Sequence, residues 1–278
     1  MPCSSLPRLF AIAGLLAFCA VGSASQARAD RLDEIINSGK LRCAVTLDFP
    51  PMGFRDDKNN PVGFDVDTCN DLAKALGVKA EVVETPFPDR IPAILSGRAD
   101  VGVASTSNTL ERAKTIGFSN PYFAFKFVVL ARDNAGVTDY QSLKGHRLGN
   151  VAGTYEAIAM EKDVKAWNDP KGAFHPYQTE ADVFLALSQG QIDATAVTST
   201  VAAAIVKSGK YPNLKITGDA PYATDYVCLI GPRLEQGLIN YLNLFISHQV
   251  REGRYKELYD KWIGIGAPVD LTIPGVYE

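Results

Sequence analysis

Apolar positions recur along the chain in two rhythms, short runs near period two and longer stretches near 3.6. Leu32, Ile35 and Ile36 share one face of a helix predicted over residues 30–39, and residues 40–47 alternate as a strand. Consecutive Pro50 and Pro51 exclude helix over 48–54. That stretch is expected as a loop showing Phe49 and Phe54 past a strand end, where open α/β sheets bind ligands. Filling core with those rings is the structural alternative. A helix is predicted from Gly63 to Leu76 with Gly77 as its stop. A strand at 80–84, a kinked connection at 86–88, a helix at 90–96 and a strand at 99–103 follow. This β-α-β-α-β order implies a mostly parallel sheet with right-handed crossovers.

Asn120-Pro121 breaks the pattern at 118–122, before a long apolar strand over 123–131 interrupted by Lys126. A second α/β unit follows: strand 147–151, a turn at Gly153-Thr154-Tyr155, helix 156–162, strand 174–177, helix 180–188, strand 192–197 and helix 199–207. Gly97-Arg98-Ala99-Asp100 and Gly190-Gln191-Ile192-Asp193 occupy matching places in the two units. That weak internal repeat suggests two similar lobes. A strand at 226–230, a helix at 234–253 and a short amphipathic helix at 255–262 complete the pattern.

Candidate chemistry concentrates at residues 100–112. The apolar strand there turns through Ser105, Thr106 and Ser107, and Asn108 is the expected helix cap, with Glu111 in capping-box position. Arg112 is out of place electrostatically, because the first turn of a helix favours negative charge. Either Glu111 offsets it locally, or the guanidinium, the hydroxyls and the helix-start N–H groups form an anion site suited to a carboxylate.

With 46% apolar and 21% charged residues in 278, the chain reads as globular with a sizeable core and room for two domains. A net charge of −3 argues against nucleic acid, which selects a basic patch, and against a polybasic membrane-surface protein. Residues 1–29 read as a signal peptide, with Arg8 in the n-region, an apolar run over 9–21 and an Ala27-Arg28-Ala29 cleavage site. Phe18 before Cys19 argues against lipidation. The odd number of remaining cysteines, Cys43, Cys69 and Cys228, forbids complete internal pairing in an exported protein. Three buried thiols are expected, since free cysteine packs as a small hydrophobe. His146, His175 and His248 lie far apart in sequence, and no metal or cofactor is expected.

Several stretches together resemble the periplasmic solute-binding proteins of the polar amino-acid type, the receptors of ABC importers. These are Gly63-Phe64-Asp65-Val66-Asp67 with Leu72-Ala73 and Leu76, Arg90-Ile91-Pro92, residues 100–112, the Gly153-Thr154 turn, and Gly253-Arg254-Tyr255 with Lys261-Trp262. Thr68 departs from the signature, where an aliphatic residue is usual. The resemblance implies a two-lobed α/β fold of the type II periplasmic binding protein kind with two crossover hinge strands. Lobe 1 would hold residues 30–123 and 226–278, and lobe 2 residues 124–225. A monomer is expected, exported to the periplasm and cleaved after Ala29. It would close on a small carboxylate-bearing ligand, such as an amino acid, and dock on a membrane permease.

Residue by residue, the resemblance makes Arg112 the grip on the ligand carboxylate, Ser105 a backbone N–H donor and Ser107 a hydroxyl donor. Phe49 and Phe87 become apolar walls, and Gly153 and Thr154 the donors of lobe 2. Arg90 either reaches the cleft or is neutralised at the surface by Asp89. Thr198 stands where relatives carry the aspartate that pairs with the ligand ammonium, and a hydroxyl does not replace a buried carboxylate. Either another acid takes over, with Glu156 the candidate, or the residues correspond differently, or the ligand lacks a standard α-amino group. Thr46, where relatives for basic amino acids carry an aspartate, argues against a cationic ligand. A cyclohexadienyl-dehydratase-like enzyme on the same scaffold, using Glu156 or Asp225 as acid, is the alternative function. No nucleophile–base pair supports it.

Overall fold

Two five-stranded sheets carry the two units, in a computed structural model that describes residues 30–264 and Leu271. The expected signal segment, residues 1–29, lies outside the described residues. After α1 (Arg31–Ser38), the first sheet runs in the order β5 (Lys79–Glu84), β1 (Lys40–Val45), β6 (Val101–Ser107), β13 (Asp225–Pro232), β7 (Ile116–Phe125). Its first three strands are parallel, and β13 lies antiparallel between β6 and β7. Against it pack α2 (Phe64–Leu76), α3 (Arg90–Leu95), α4 (Leu110–Ala113), α8 (Gln236–Arg251) and α9 (Arg254–Trp262). Every residue of β6 is buried. Its unbroken run of small and apolar side chains is what a strand covered on both faces requires.

The second sheet has the order β10 (Ala173–Tyr177), β9 (Arg147–Val151), β11 (Ala194–Thr198), β8 (Phe127–Arg132), β12 (Leu214–Asp219). The helices α5 (Tyr155–Trp167), α6 (Glu180–Ser188) and α7 (Ser199–Ser208) connect and cover it. The repeat seen in the sequence has a structural cause. Asp100 accepts from the backbone N, Nε and Nη2 of Arg42 at 2.9, 3.1 and 2.6 Å. Asp193 accepts from the same three atoms of Arg147 at 3.0, 3.1 and 2.7 Å. In each unit an aspartate just before one strand is tied to an arginine on the neighbouring strand.

Several expectations are corrected. Cys43 and Cys69 form a disulfide between β1 and α2, and only Cys228 is a free, buried thiol. Residues 118–122 continue β7 instead of breaking it, because β7 is the sheet edge, where Pro121 displaces no ladder partner. The apolar run over 123–131 is divided at Lys126 between β7 and β8, which belong to different sheets. The stretch 48–54 is no open loop. It makes β2 (Asp48–Phe49) and β3 (Gly53–Arg55), which form a small meander with β4 (Pro61–Val62). Thr109 caps α4, its side chain accepting from Arg112 N at 3.2 Å. Asn108 stands one residue before the cap, with its backbone N–H bound to Tyr226 O on β13.

The chain passes between the sheets where β7 ends and β13 begins. There Phe123, Ala124 and Phe125 pair with Val227, Tyr226 and Asp225.

Candidate functional site

The ends of β2, β6, β9 and β11 and the start of β13 meet between the sheets around a narrow cavity. Phe49, Phe87, Arg90, Ser105, Ser107, Thr154, Glu156 and Thr198 line it, together with Phe125, Tyr155 and Asp225. Phe49 is the hub of the apolar wall, edge-on to Phe87 at 5.0 Å and to Phe125 at 5.9 Å. Arg112 and Gly153 lie in an adjoining crevice that shares Phe87 and Arg90.

The two arginines converge on one atom. Arg90 is 3% exposed. Its Nε donates to Phe87 O, its Nη1 to Ala104 O and Ser105 O, and its Nη2 to Gly153 O, all at 2.8–3.0 Å. It stacks over the Phe87 ring at 4.6 Å. Neutralisation by Asp89 at the surface is therefore wrong: the guanidinium points inward, into carbonyls that fix a planar fork. Burial, with Arg112 nearby, pushes its pKa down to about 9, so it stays cationic at neutral pH. Arg112 donates from Nη1 to Ser107 O at 3.2 Å and from Nη2 to Gly153 O at 2.7 Å. The carbonyl at the β9–α5 turn thus receives donors from both arginines across the junction. Gly153 has φ +81°, and a Cβ there would stand 3.3 Å from Pro88 Cα on the opposite side. Conformation and clearance both call for glycine.

The small residues of β6 are engaged as well. Ser105 holds φ +48°, sparsely populated for a non-glycine residue. Its N–H, an expected ligand donor, donates to Tyr122 Oη at 2.9 Å. Tyr122 Oη donates to Asp65 Oδ1 at 2.6 Å, and Ser105 Oγ to Asp65 Oδ2 at 3.2 Å. Burial raises Asp65 to about 7. The acid of the Gly63–Asp67 stretch thereby sets the backbone shape at the end of β6. Ser107 Oγ donates to Asp225 Oδ2 at 2.9 Å. Thr154 caps α5, accepting from Ala157 N at 3.2 Å and donating to Val151 O at 2.9 Å.

Two carboxyls face the cavity without a hydrogen-bonded cation among the described residues. Burial raises Glu156 to about 7, with the nearby Asp225 adding to the effect. Asp225 is raised to about 6 by burial, against the Ser107 hydroxyl and the two arginines, which favour its ionised form. Thr198 is buried and its hydroxyl reaches only Thr200 Oγ1, at 3.4 Å, so that corner carries no charge. Asp225 lay outside the expected binding set, and Phe125 and Tyr155 had no assigned role. One signal was available for Asp225, an acid at the head of an otherwise apolar strand. Among the described residues no group of His, Cys, Asp and Glu is placed to hold a metal ion.

Residues 41–265 match the family model of the bacterial extracellular solute-binding proteins, family 3. The glutamine-binding protein of an ABC transporter in Bacillus subtilis is 27% identical over 268 residues, covering 93% of this chain and 95% of its own. A cyclohexadienyl dehydratase of Pseudomonas aeruginosa is 38% identical, over 112 residues that cover 40% of this chain and 42% of its own. An ancestral arginine-binding protein bound to arginine superposes with a TM-score of 0.76 at 30% identity, over 81% of this chain and 99% of that one. The two sheets, joined by β7 and β13 with the cavity between them, are the type II periplasmic binding protein fold. The chain belongs to family 3 of the bacterial extracellular solute-binding proteins.

Proposed function

We propose that the protein is the periplasmic receptor of an ABC importer for an amino acid. It is exported with cleavage after Ala29, binds its ligand between lobes 30–123 plus 226–278 and 124–225, and presents it to a permease. One observation carries the ligand class. The cleft holds two guanidiniums, Arg90 at the small aromatic-walled cavity and Arg112 in the crevice adjoining it, and two buried carboxyls, Glu156 and Asp225, in the cavity lining. A zwitterion matches that pairing. Its carboxylate takes the place of the Gly153 carbonyl before Arg112, as charge-assisted bidentate bonds outcompete neutral ones. Its ammonium lies between Glu156 and Asp225, which supply the acid missing at Thr198. A deaminated carboxylate leaves both carboxyls unpaired in a buried site, at a cost of about 1–3 kcal/mol or more. That favours another acid over a ligand without an amino group.

A thermal-shift screen over the common L-amino acids tests this, because a ligand that binds the native state raises its melting temperature. At least one is expected to act, and Arg112→Ala should abolish its effect while leaving the unliganded melting temperature within a few degrees. No shift by any amino acid, or an equal shift in the variant, contradicts the reading.

The partial likeness to a dehydratase gives an enzymatic reading some support, since Glu156, raised to about 7, has the acidity of a general acid near neutral pH. Incubation with prephenate or arogenate separates the two functions. The receptor reading expects no aromatic product.

A further inference from the structure

A second group of acids lies at the lobe junction, apart from the cavity lining. Asp48 stands on β2 of the first unit, and Glu180 opens α6 of the second. The backbone N–H of Glu180 donates to Asp48 Oδ2 at 3.0 Å, joining the two units. Glu180 is 1% exposed, and its Oε1 is buried with no hydrogen-bond partner. Its place in the first helical turn suits a negative charge, but that benefit is about 1 kcal/mol, far below the cost of burying an unpaired carboxylate.

The surroundings hold no compensating cation among the described residues. The charges acting on Glu180 are Glu156 and Asp48, both acidic, and burial with these two holds its pKa well above the carboxylate range. Asp182 and Glu84 act on Asp48 in turn, and burial raises that carboxyl too. The strands packed on α6 are β2, β8, β9 and β10. Arg132 at the end of β8 and Arg147 on β9 are bonded to Asp193. On β10, His175 is exposed, and Tyr177 is a neutral phenol raised by burial. Arg55 on β3 is paired with Glu84. Glu180 is not part of the cavity lining, so the species that neutralises it is a proton from solvent.

We propose that the lobes close over a proton: Glu180, beside Glu156 of its own lobe, is ionised when the lobes are apart and protonated when Asp48 of the other lobe is brought against it. Closure takes up one proton from solvent, and opening returns it. Because the proton affinity is higher in the closed form, closure is fully favoured below the open-state pKa, about 4.3 for an exposed glutamate. Above it the closing constant falls about tenfold per pH unit, until the closed form ionises as well. This rests on the lobe closure of the proposed receptor.

Small-angle X-ray scattering tests it. The radius of gyration is measured from about pH 5 to about pH 9, across the expected titration, for wild type, Glu180→Gln and Asp48→Asn, with and without L-arginine or L-glutamine. Wild type without amino acid should expand as pH rises, Glu180→Gln should stay contracted throughout, and Asp48→Asn should expand only at higher pH. Wild-type and Glu180→Gln radii that coincide at every pH overturn the proposal. Should Glu180→Gln not fold, Asp48→Asn indistinguishable from wild type does the same. Radii that contract with an amino acid but are identical in wild type and variants overturn the proton uptake alone. Radii that answer to neither pH nor amino acid overturn the closure with it.

Discussion

Glu156 and Asp225, the carboxyls proposed to hold the ligand ammonium, show in a single side chain what separates a group kept for binding from one kept for structure. A buried carboxyl bonded by nothing that neutralises it costs stability, and a native protein keeps such a group only where the cost is recovered elsewhere. The folded-state pKa of Glu156, about 7, lies above its unfolded value. Its contribution to stability is therefore greatest at low pH and is lost as pH rises toward about 7. Glu156→Gln should match wild type near pH 4 and exceed it by about 3 kcal/mol near pH 8 in denaturant titrations without ligand. The same variant should bind its amino acid at least tenfold more weakly. A variant less stable than wild type at pH 8 would show instead that Glu156 holds the fold. At this scale the sequence was informative about types and poor about partners. Arg112 stood out as a cation at a helix start, and Glu156 as an acid in a turn. Neither position revealed that Arg90 and Arg112 share the Gly153 carbonyl, a contact between segments about sixty and forty residues apart. Ser105 was legible as a candidate for the cavity lining, where it lies, but not as one whose N–H is already taken by Tyr122.

Elements were most legible where burial repeats with a fixed period. The helices and the parallel strands of both units follow the apolar rhythm because each has one covered face or two. The rhythm fails at edges and seams. Pro121 looks like a breaker until β7 is seen to be an edge strand, and β12 lies at the edge of the other sheet, half exposed and without a sustained alternation. The run over 123–131 is apolar throughout, so nothing in it marks the passage from one sheet to the next. The disulfide was illegible for another reason. Parity required only that one cysteine be left over, and which two pair depends on a Cα–Cα distance of 6.2 Å set by the packing of α2 on β1. Its sequence separation of 26 residues gives an expected stabilisation of about 3.5 kcal/mol from restriction of the unfolded chain. Reduction, or Cys43→Ala with Cys69→Ala, should lower the melting temperature by several degrees and leave amino-acid affinity nearly unchanged. The bond lies within the first sheet's unit and reaches no cavity residue. An affinity loss as large as that of Arg112→Ala would place the disulfide in the binding machinery.

For the whole molecule, the two Asp–Arg ties, Asp100 with Arg42 and Asp193 with Arg147, are the visible remains of one plan used twice. What the two units do together arises only where they meet: the arginines reaching Gly153, the carboxyls at the cavity, and Glu180 against Asp48. On the proposed reading this junction recognises both charges of an amino acid, with Glu156 and Asp225 in the role that Thr198 does not fill. Isothermal titration calorimetry near neutral pH tests it most directly, comparing an amino acid found by thermal shift with its deaminated carboxylic-acid analogue. Loss of the buried ammonium pairing should weaken the analogue by at least tenfold, since truncating one partner of a buried charge pair costs about 2–5 kcal/mol. Equal affinity for the two compounds, or tighter binding of the analogue, would contradict the account.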